Sequence, residues 1–476
     1  MMNIIGIDFG TSTNYVARWD SNRNRPVSLP IFSAERGESG DSDICENVIF
    51  YESETNQVLG RIALERGFLY PEKMVCGIKR KLQRGDKNIP VLGKRMTSEE
   101  VARDIFRVIR TKVENSLGGT PVDSAVISVP YAFMHHERQR IRYAAERAGL
   151  SVIGLIEEPV AAILACGFEP STEEENVLIF DIGGGTLDIT VFKYTSQHEE
   201  TRVEVLNTEG RSNLGGTDID DYIMDEMLMP ILKYKPIDIL EPAGRTKEQH
   251  KLRMWAKEIK EGLTTTRSFE TERYDLYNNS HLECEPTVEE LNNILGNFVA
   301  KIKLTLDDAL EDSELEVNQI DRIIMVGGTS RIPLIKKFLN DYFGKEPVTA
   351  RDPLRAIGNG AVIYCADLCN VDTKFTLVKK LSQSVGLKIN DRFTELLKKN
   401  THYDTLSSSI KIPLSSRISV YQGDPVNYSL IGNFDVEQHN ITAGSPVYVK
   451  LGINSNGIVH YELHDATRLI QSGELS

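Results

Sequence analysis

Hydrophobic and polar positions divide the chain into two regions of different grammar. Before residue 370, short apolar runs alternate with stretches of helical period, which indicates α/β architecture. The opening reads as strand, turn, strand: Ile4-Ile5-Gly6-Ile7, then Asp8-Phe9-Gly10-Thr11-Ser12-Thr13, then Tyr15-Val16-Ala17. The same grammar returns at Val177 to Phe180, Asp181-Ile182-Gly183-Gly184-Gly185-Thr186 and Leu187 to Phe192. Two copies so far apart are not a solenoid period; they imply two related lobes whose turns face each other across a cleft. Thr97-x-x-Glu100 is a capping box for a helix with Val101, Ile105, Val108 and Ile109 on one face. Thr287-x-x-Glu290 does the same for a helix carrying Leu291, Leu295, Phe298 and Ile302. Strand-then-helix units are expected at Ser124–Val129 with His136–Ala148, and at Arg322–Val326 with Pro333–Phe343.

Beyond residue 370 the pattern changes to short runs broken by Gly, Pro, Asn and Ser, among them Val385–Ile389, Ile418–Tyr421, Ser445–Leu451 and Ile458–Leu463. A small all-β sandwich is expected there, with a turn or two of helix near Arg392–Lys398. The organisation that follows is an α/β domain over residues 1–370, a linker over 371–381 and a β domain over 382–476.

Composition narrows the function classes. With 55 Lys and Arg against 69 Asp and Glu, the net charge of −14 argues against a nucleic-acid partner, because phosphate backbones recruit basic surfaces. Six scattered cysteines, with no CxxC pair, suit a reducing compartment. Cys365 and Cys369 share one face of a helix and read as buried small hydrophobes. No signal peptide and no long apolar run is seen, so a cytoplasmic protein without a membrane partner is expected.

Each repeated turn puts a carboxylate at the end of a buried strand and glycines just beyond it. Glycine allows backbone N–H groups to approach an anion and to adopt positive φ, forming an anion-binding concavity. Thr11, Ser12 and Thr186 add hydroxyl donors. Asp8 and Asp181 beside phosphate oxygens make sense with a bridging cation, and hydrated Mg²⁺ fits; Asp188 lies two residues past Thr186. Lys79 reads either as a phosphate-facing cation or as part of a solvated basic cluster. Glu158, before Pro159, reads either as a site carboxylate or as a helix start. Gly327 and Gly328 would let a flat ring approach the backbone, with Arg331 able to stack on it.

These segments, in this order, resemble the seventy-kilodalton heat-shock chaperones of the actin-like ATPase superfamily. The runs are IIGIDFGTST, GIKRKL, ISVPYAF, ERQRIRYAAERAGL, GLIEEPVAAILACG, LIFDIGGGTLDITVFK, NLGGTDID, MVGGTSRIPLIKKFL and RDPLRAIGNGA, spanning about residues 3–366. The resemblance implies binding of ATP or ADP with Mg²⁺, K⁺ being a further candidate ion, and hydrolysis of ATP. By that likeness Asp8 and Asp181 hold hydrated Mg²⁺, while Gly10, Thr11, Ser12, Gly183, Gly184, Gly185 and Thr186 surround the phosphates. Lys79 positions the attacking water, and Glu158 and Asp188 orient and help deprotonate it. Gly215, Gly216, Lys260, Thr264, Gly327, Gly328, Arg331 and Asp352 surround the nucleoside, and Pro130 with Arg138 matches an allosteric relay.

Some residues depart from the family pattern. Lys257 stands where an acidic ribose contact is usual, Glu261 where an adenine-stacking arginine is usual, and Thr217 replaces an acid. LSQSVGLKI, FTELLKKNT, ISVYQGD, LIGNFDV and NSNGIVHYELHDAT resemble strands of the peptide-binding β sandwich, without the helical lid that usually follows. The linker run Phe375-Thr376-Leu377-Val378 ends in Lys379 rather than an acid, so altered docking is expected. The implied partners are unfolded or extended peptides, a J-domain cochaperone and a nucleotide exchange factor. The alternatives are a binding module dedicated to one client and, less favoured, a small-molecule kinase of the same superfamily.

Overall fold

The computed structural model describes residues 2–33, 41–166, 174–197, 200–232, 246–274, 281–371, 375–389, 392–412, 417–436, 446–465 and 468–475. Two six-stranded sheets repeat one topology. In the first, the parallel strands Val152–Glu157 and Ser124–Val129 lie beside Ile4–Phe9, which turns back antiparallel through Thr13–Asp20 to Arg25–Ser28. In the second, Val348–Thr349 and Arg322–Val326 lie parallel beside Glu175–Ile182, which turns back through Thr186–Gln197 to Glu200–Ser212. The duplicated hairpins seen in the sequence are thus the central hairpins of two equivalent lobes.

Ile4–Phe9 and Ser124–Val129 are buried along their whole length, as continuous apolar strands must be when both sheet faces are covered. Outer faces are covered by helices such as Ser98–Ser116 and His135–Arg147 on the first sheet, and Thr246–Gly262, Gly296–Glu311 and Pro333–Phe343 on the second. Between the sheets lie the helices Glu158–Cys166 and Ala356–Leu368, whose Val160, Ala161, Ala361 and Val362 join Ile4 and Val126 to Val177 and Ile179 in one core. Close approach there requires glycine: a Cβ at Gly360 would lie 1.7 Å from the Ala161 carbonyl oxygen, and one at Gly6 2.2 Å from Val362 N.

Both capping boxes form, with the Thr side chain accepting from the third residue's N–H and the Glu side chain accepting in return. The helix after Thr287 stops at Ile294, however, and a second begins at Gly296; glycine at that junction is a poor helix former. Near Arg392 the expected helical turn is instead the strand Arg392–Leu397, because antiparallel pairing with Ser384–Ile389 overrides the local preference. That strand belongs to a sheet with Arg417–Gly423 and Tyr428–Asp435. A second sheet of Thr405–Leu406, Ile410–Ile412, Val447–Ile453, Val459–His464 and Leu469–Glu474 faces it over Val385, Val420, Val449 and Leu463. The fold is therefore a two-lobed α/β unit of actin-like type followed by a β sandwich. All six cysteines are free, and Cys365 is buried while Cys369 caps the helix end. Among the described residues no helix is long and apolar enough to cross a membrane.

The joining segment and the sandwich both sit on the α/β unit. Phe375–Val378 extends the second sheet as a parallel edge strand on Glu200–Ser212. Backbone hydrogen bonds suffice for that pairing, whichever side chains the run carries. Residues 372–374, at the head of the expected linker, lie outside the described residues. Lys379 follows the strand into a buried cluster. Its Nζ lies 3.4 Å from Glu157 Oε2 and over the rings of Tyr364 and Tyr403, while Tyr403 donates to Glu157 Oε1 at 3.0 Å. At the helix His135–Arg147, the His135 N–H donates to Gln422 Oε1 at 3.1 Å and Val459 N–H donates to His135 Nδ1 at 3.0 Å.

That last bond requires neutral imidazole. Burial, aided by the charges of His136 and Arg138, holds His135 down at about 4 from its ordinary 6.5. Below pH 6.5 the unfolded chain takes up the proton first, so stability falls as pH drops from 6.5 towards 4 and is unaffected above that window. The contribution lost is roughly 3 kcal/mol by pH 4. Parallel unfolding curves for the parent and His135→Gln from pH 7 to pH 4 would contradict this; the parent should lose stability relative to the variant.

Candidate functional site

Between the lobes lies a cavity of about 600 Å³. Its floor is the two glycine hairpins. They abut so closely that a Cβ at Gly184 would lie 1.9 Å from Ser12 Oγ, and one at Gly185 2.8 Å from Thr11 Cγ2. Their conformation corrects the expectation of positive φ. Among the phosphate-turn glycines Gly10, Gly183, Gly184 and Gly185, and also at Gly215 and Gly216, none is left-handed, and only Gly327 of the glycines around the cavity is, at φ +81°. Glycine is required there because backbone approaches backbone: a Cβ at Gly10 would strike Thr13 O at 2.4 Å, and one at Gly215 would strike Gly185 N at 2.6 Å. At Gly183 a Cβ would meet no protein atom within 4 Å, which leaves its backbone open to the cavity.

Neighbouring groups pin the hairpins. Asn47 Nδ2 donates to Gly10 O at 2.6 Å, and Asn47 N–H donates to Ser12 O at 2.7 Å. Thr329 Oγ1 donates to Gly183 O at 2.8 Å, and the Thr217 hydroxyl donates to Gly184 O. Thr217 thus uses its hydroxyl on the second turn where the family carries an acid. Of these three residues only Thr217 stands out in the sequence, since each acts through a tertiary contact with a carbonyl.

Asp8 is the next-to-last residue of the strand Ile4–Phe9 and accepts from Ser128 Oγ at 2.9 Å. Asp181 lies in register with both Asp188 and Val326 on the neighbouring strands. Lys79 is 4% exposed and forms an ion pair with Glu158, so it is no surface lysine and Glu158 is no mere helix start. Burial, followed by the Glu158 charge, pushes Asp8 and Asp188 up to about 7; burial and then Glu158, Asp188 and Asp8 raise Asp181 well above the carboxylate range. Lys79 is the cation opposing them. Hard oxygen donors carrying excess negative charge fit Mg²⁺. Among the described residues no group of three or more His, Cys, Asp or Glu is arranged to hold a metal ion directly.

The expected residues separate into two groups. Asp8, Gly10, Thr11, Ser12, Lys79, Glu158, Asp181, Gly183, Gly184, Thr186, Gly216, Lys260, Thr264, Gly327, Gly328 and Arg331 line the cavity. Gly185, Gly215, Asp188 and Asp352 lie outside its lining. Asp188 is buried behind the second turn with Oδ2 unpartnered, and Asp352 is engaged by Arg355 at 2.7 Å. Lys260 is tied to Asp220 at 2.6 Å and to Gly216 O at 2.9 Å. Lys257 and Glu261, two of the departures, also line the cavity and lie 3.8 Å apart on consecutive helix turns, so the reversed charges face one another. Pro130 and Arg138 lie away from the cavity. Arg138 is buried, donating to Glu157 Oε1 at 2.6 Å, Phe133 O at 2.9 Å and Tyr131 O at 3.1 Å. Burial opposes the charge of Glu157, but Lys379 and Arg138 outweigh it and hold that carboxyl at about 2.

Two duplicated lobes with facing glycine hairpins, carboxylates between them and a β sandwich on the flank define the class. Residues 78–473 match the family model described as Hsp70 protein. The chain is 29% identical to a chaperone protein DnaK of Elusimicrobium minutum (strain Pei191), covering 98% of this chain and 75% of that protein. It is 30% identical to one from Thermoplasma volcanium (97% and 75%), and 29% identical to one from Nitrosopumilus maritimus (98% and 74%). The chain belongs to the Hsp70 family.

The contact between hairpins gives a direct test. Gly184→Val should pry the turns apart and weaken nucleotide binding by about 10- to 100-fold, the scale of an overpacked contact. Isothermal calorimetry on Gly184→Val, with a melting curve to confirm folding, reads the effect; affinity equal to the parent would show that the hairpins need not meet.

Proposed function

We propose that this chain hydrolyses Mg-ATP in the interlobe cavity and couples nucleotide state to binding of unfolded or extended peptide by the β sandwich. The observation that carries the reading is the pair of abutting glycine hairpins over Asp8 and Asp181, with the buried Lys79–Glu158 pair beside them. Family membership supports an ATP-dependent chaperone activity. We assign the domains as residues 1–370, 371–381 and 382–476.

In this reading Asp8 and Asp181 hold hydrated Mg²⁺, which when bound neutralises charge on the phosphate oxygens. The backbone of Gly10, Gly183 and Gly184 and the hydroxyls of Thr11, Ser12 and Thr186 surround the triphosphate. Lys79 stabilises charge on the transferring phosphoryl group and orients water; Glu158, held by Lys79, accepts a hydrogen bond from that water. Asp188 acts from behind through Thr186, whose hydroxyl it engages. Gly328, Arg331, Thr264 and Lys260 flank the nucleoside. Arg138 and Pro130 connect the cleft to the docked sandwich. Partners of the J-domain and nucleotide-exchange classes belong to the same proposal, as does a cytoplasmic location.

Lys79→Ala should lower single-turnover hydrolysis by about 10²–10³, the scale of losing one preorganised charge donor, while nucleotide binding largely survives. A rate within a few-fold of the parent would refute the role. Added unfolded peptide should raise the parent's turnover; insensitivity to generic peptides would point to a module dedicated to one client.

A further inference from the structure

Lys79 and Arg80 are neighbours on the short helix Ile78–Arg84, yet they serve opposite lobes. Successive residues on a helix project about 100° apart. Lys79 therefore turns to Glu158 of its own lobe, whereas the Arg80 guanidinium crosses the cleft. Its Nη2 donates to the carbonyl oxygen of Gly185 at 3.0 Å and to Asp218 Oδ2 at 3.0 Å. Asp218 in turn accepts the Gly215 N–H at 2.8 Å, at the start of the helix Gly216–Ile223. One guanidinium thus holds the last glycine of the second hairpin and the segment packed beneath it. A turn further on, Gln83 Nε2 donates to Ser212 Oγ of the second lobe at 3.4 Å.

The other end of this short helix is fixed to the first lobe. Arg140 Nη1 donates to Leu82 O at 2.8 Å and to Gln83 O at 3.0 Å, satisfying carbonyls at the helix C-terminus. The helix is consequently a strut: Arg140 anchors it on one lobe and Arg80 fastens it to the other. Any separation of the lobes breaks the Arg80 contacts and carries Lys79 away from the second hairpin.

We propose that Arg80 is a positioning residue for hydrolysis, setting the distance between Lys79 and the second glycine hairpin by clasping Gly185 and Asp218. This rests on the proposed ATPase function and deepens it by naming what registers lobe closure. Both bonds come from one nitrogen, Nη2, so a lysine ammonium keeps the charge and enough donors for both acceptors, on a stem of different length and shape.

The experiment measures ATP affinity by calorimetry and single-turnover hydrolysis for the parent, Arg80→Met, Arg80→Lys, Asp218→Asn and the double variant Arg80→Met with Asp218→Asn. Arg80→Met should lower the single-turnover rate about tenfold, the scale of one charge-assisted hydrogen bond, with affinity changed by less than about threefold. Arg80→Lys should recover part of the rate. Asp218→Asn should cost little once Arg80 is gone, because the two act as a pair. If the parent turns over and Arg80→Met matches it, or if the two substitutions add independently, the clasp is overturned while the ATPase reading stands. A parent that binds no ATP would overturn the ATPase reading, and the positioning role with it.

Discussion

Buried carboxylates must find cations, and this chain meets that demand twice across a single peptide bond. Glu157 ends one strand and Glu158 begins the next helix. Glu158 pairs with Lys79 in the cleft, while Glu157 takes Arg138, Tyr403 and Lys379 in the joint with the β sandwich. Removing one member of such a pair leaves an uncompensated buried charge, a far larger penalty than losing a surface ion pair. Cleft and joint are therefore mechanically adjacent, and neither can rearrange without moving the backbone that the two glutamates share.

Lys379 shows how a departure from the family pattern is absorbed. A basic residue where the family linker carries an acid is compatible with docking because Glu157 receives it and the rings of Tyr364 and Tyr403 surround the ammonium. The edge strand before it needs only backbone partners on Glu200–Ser212. Further anchors spread the docking surface: Lys399 reaches Glu209 and Asp312, Lys380 lies 3.2 Å from Glu204, and Tyr131 donates to Lys380 O at 2.8 Å. The sandwich is held by charge and hydrogen bonding along its edge, with Met134 entering its core.

Duplication organises the α/β unit in the same economical way. Each lobe supplies one hairpin, and the helices Glu158–Cys166 and Ala356–Leu368 fill the space between the sheets with small residues. That packing brings the hairpins together, and their contact concentrates Asp8 and Asp181 where Lys79 alone cannot balance them. That concentration of carboxylates is what supports the proposed Mg²⁺ site.

Much of this was legible in the sequence, because strand period, capping boxes and duplicated Asp-Gly turns are local signals. Ser124–Val129, Arg322–Val326 and Pro333–Phe343 form over the residues the pattern indicates, and most of the family-like side chains line one cavity. What the sequence left open depended on which surfaces meet. The burial of Lys79 and the reach of Arg80 to Gly185 follow from lobe closure. Arg392–Leu397 became a strand because a partner edge was present, and Glu157 acquired its role only when Lys379 and Tyr403 arrived from distant positions. Local patterns carry backbone preference; charge compensation and close backbone contact are properties of the assembled interior, so only the tertiary structure could decide them.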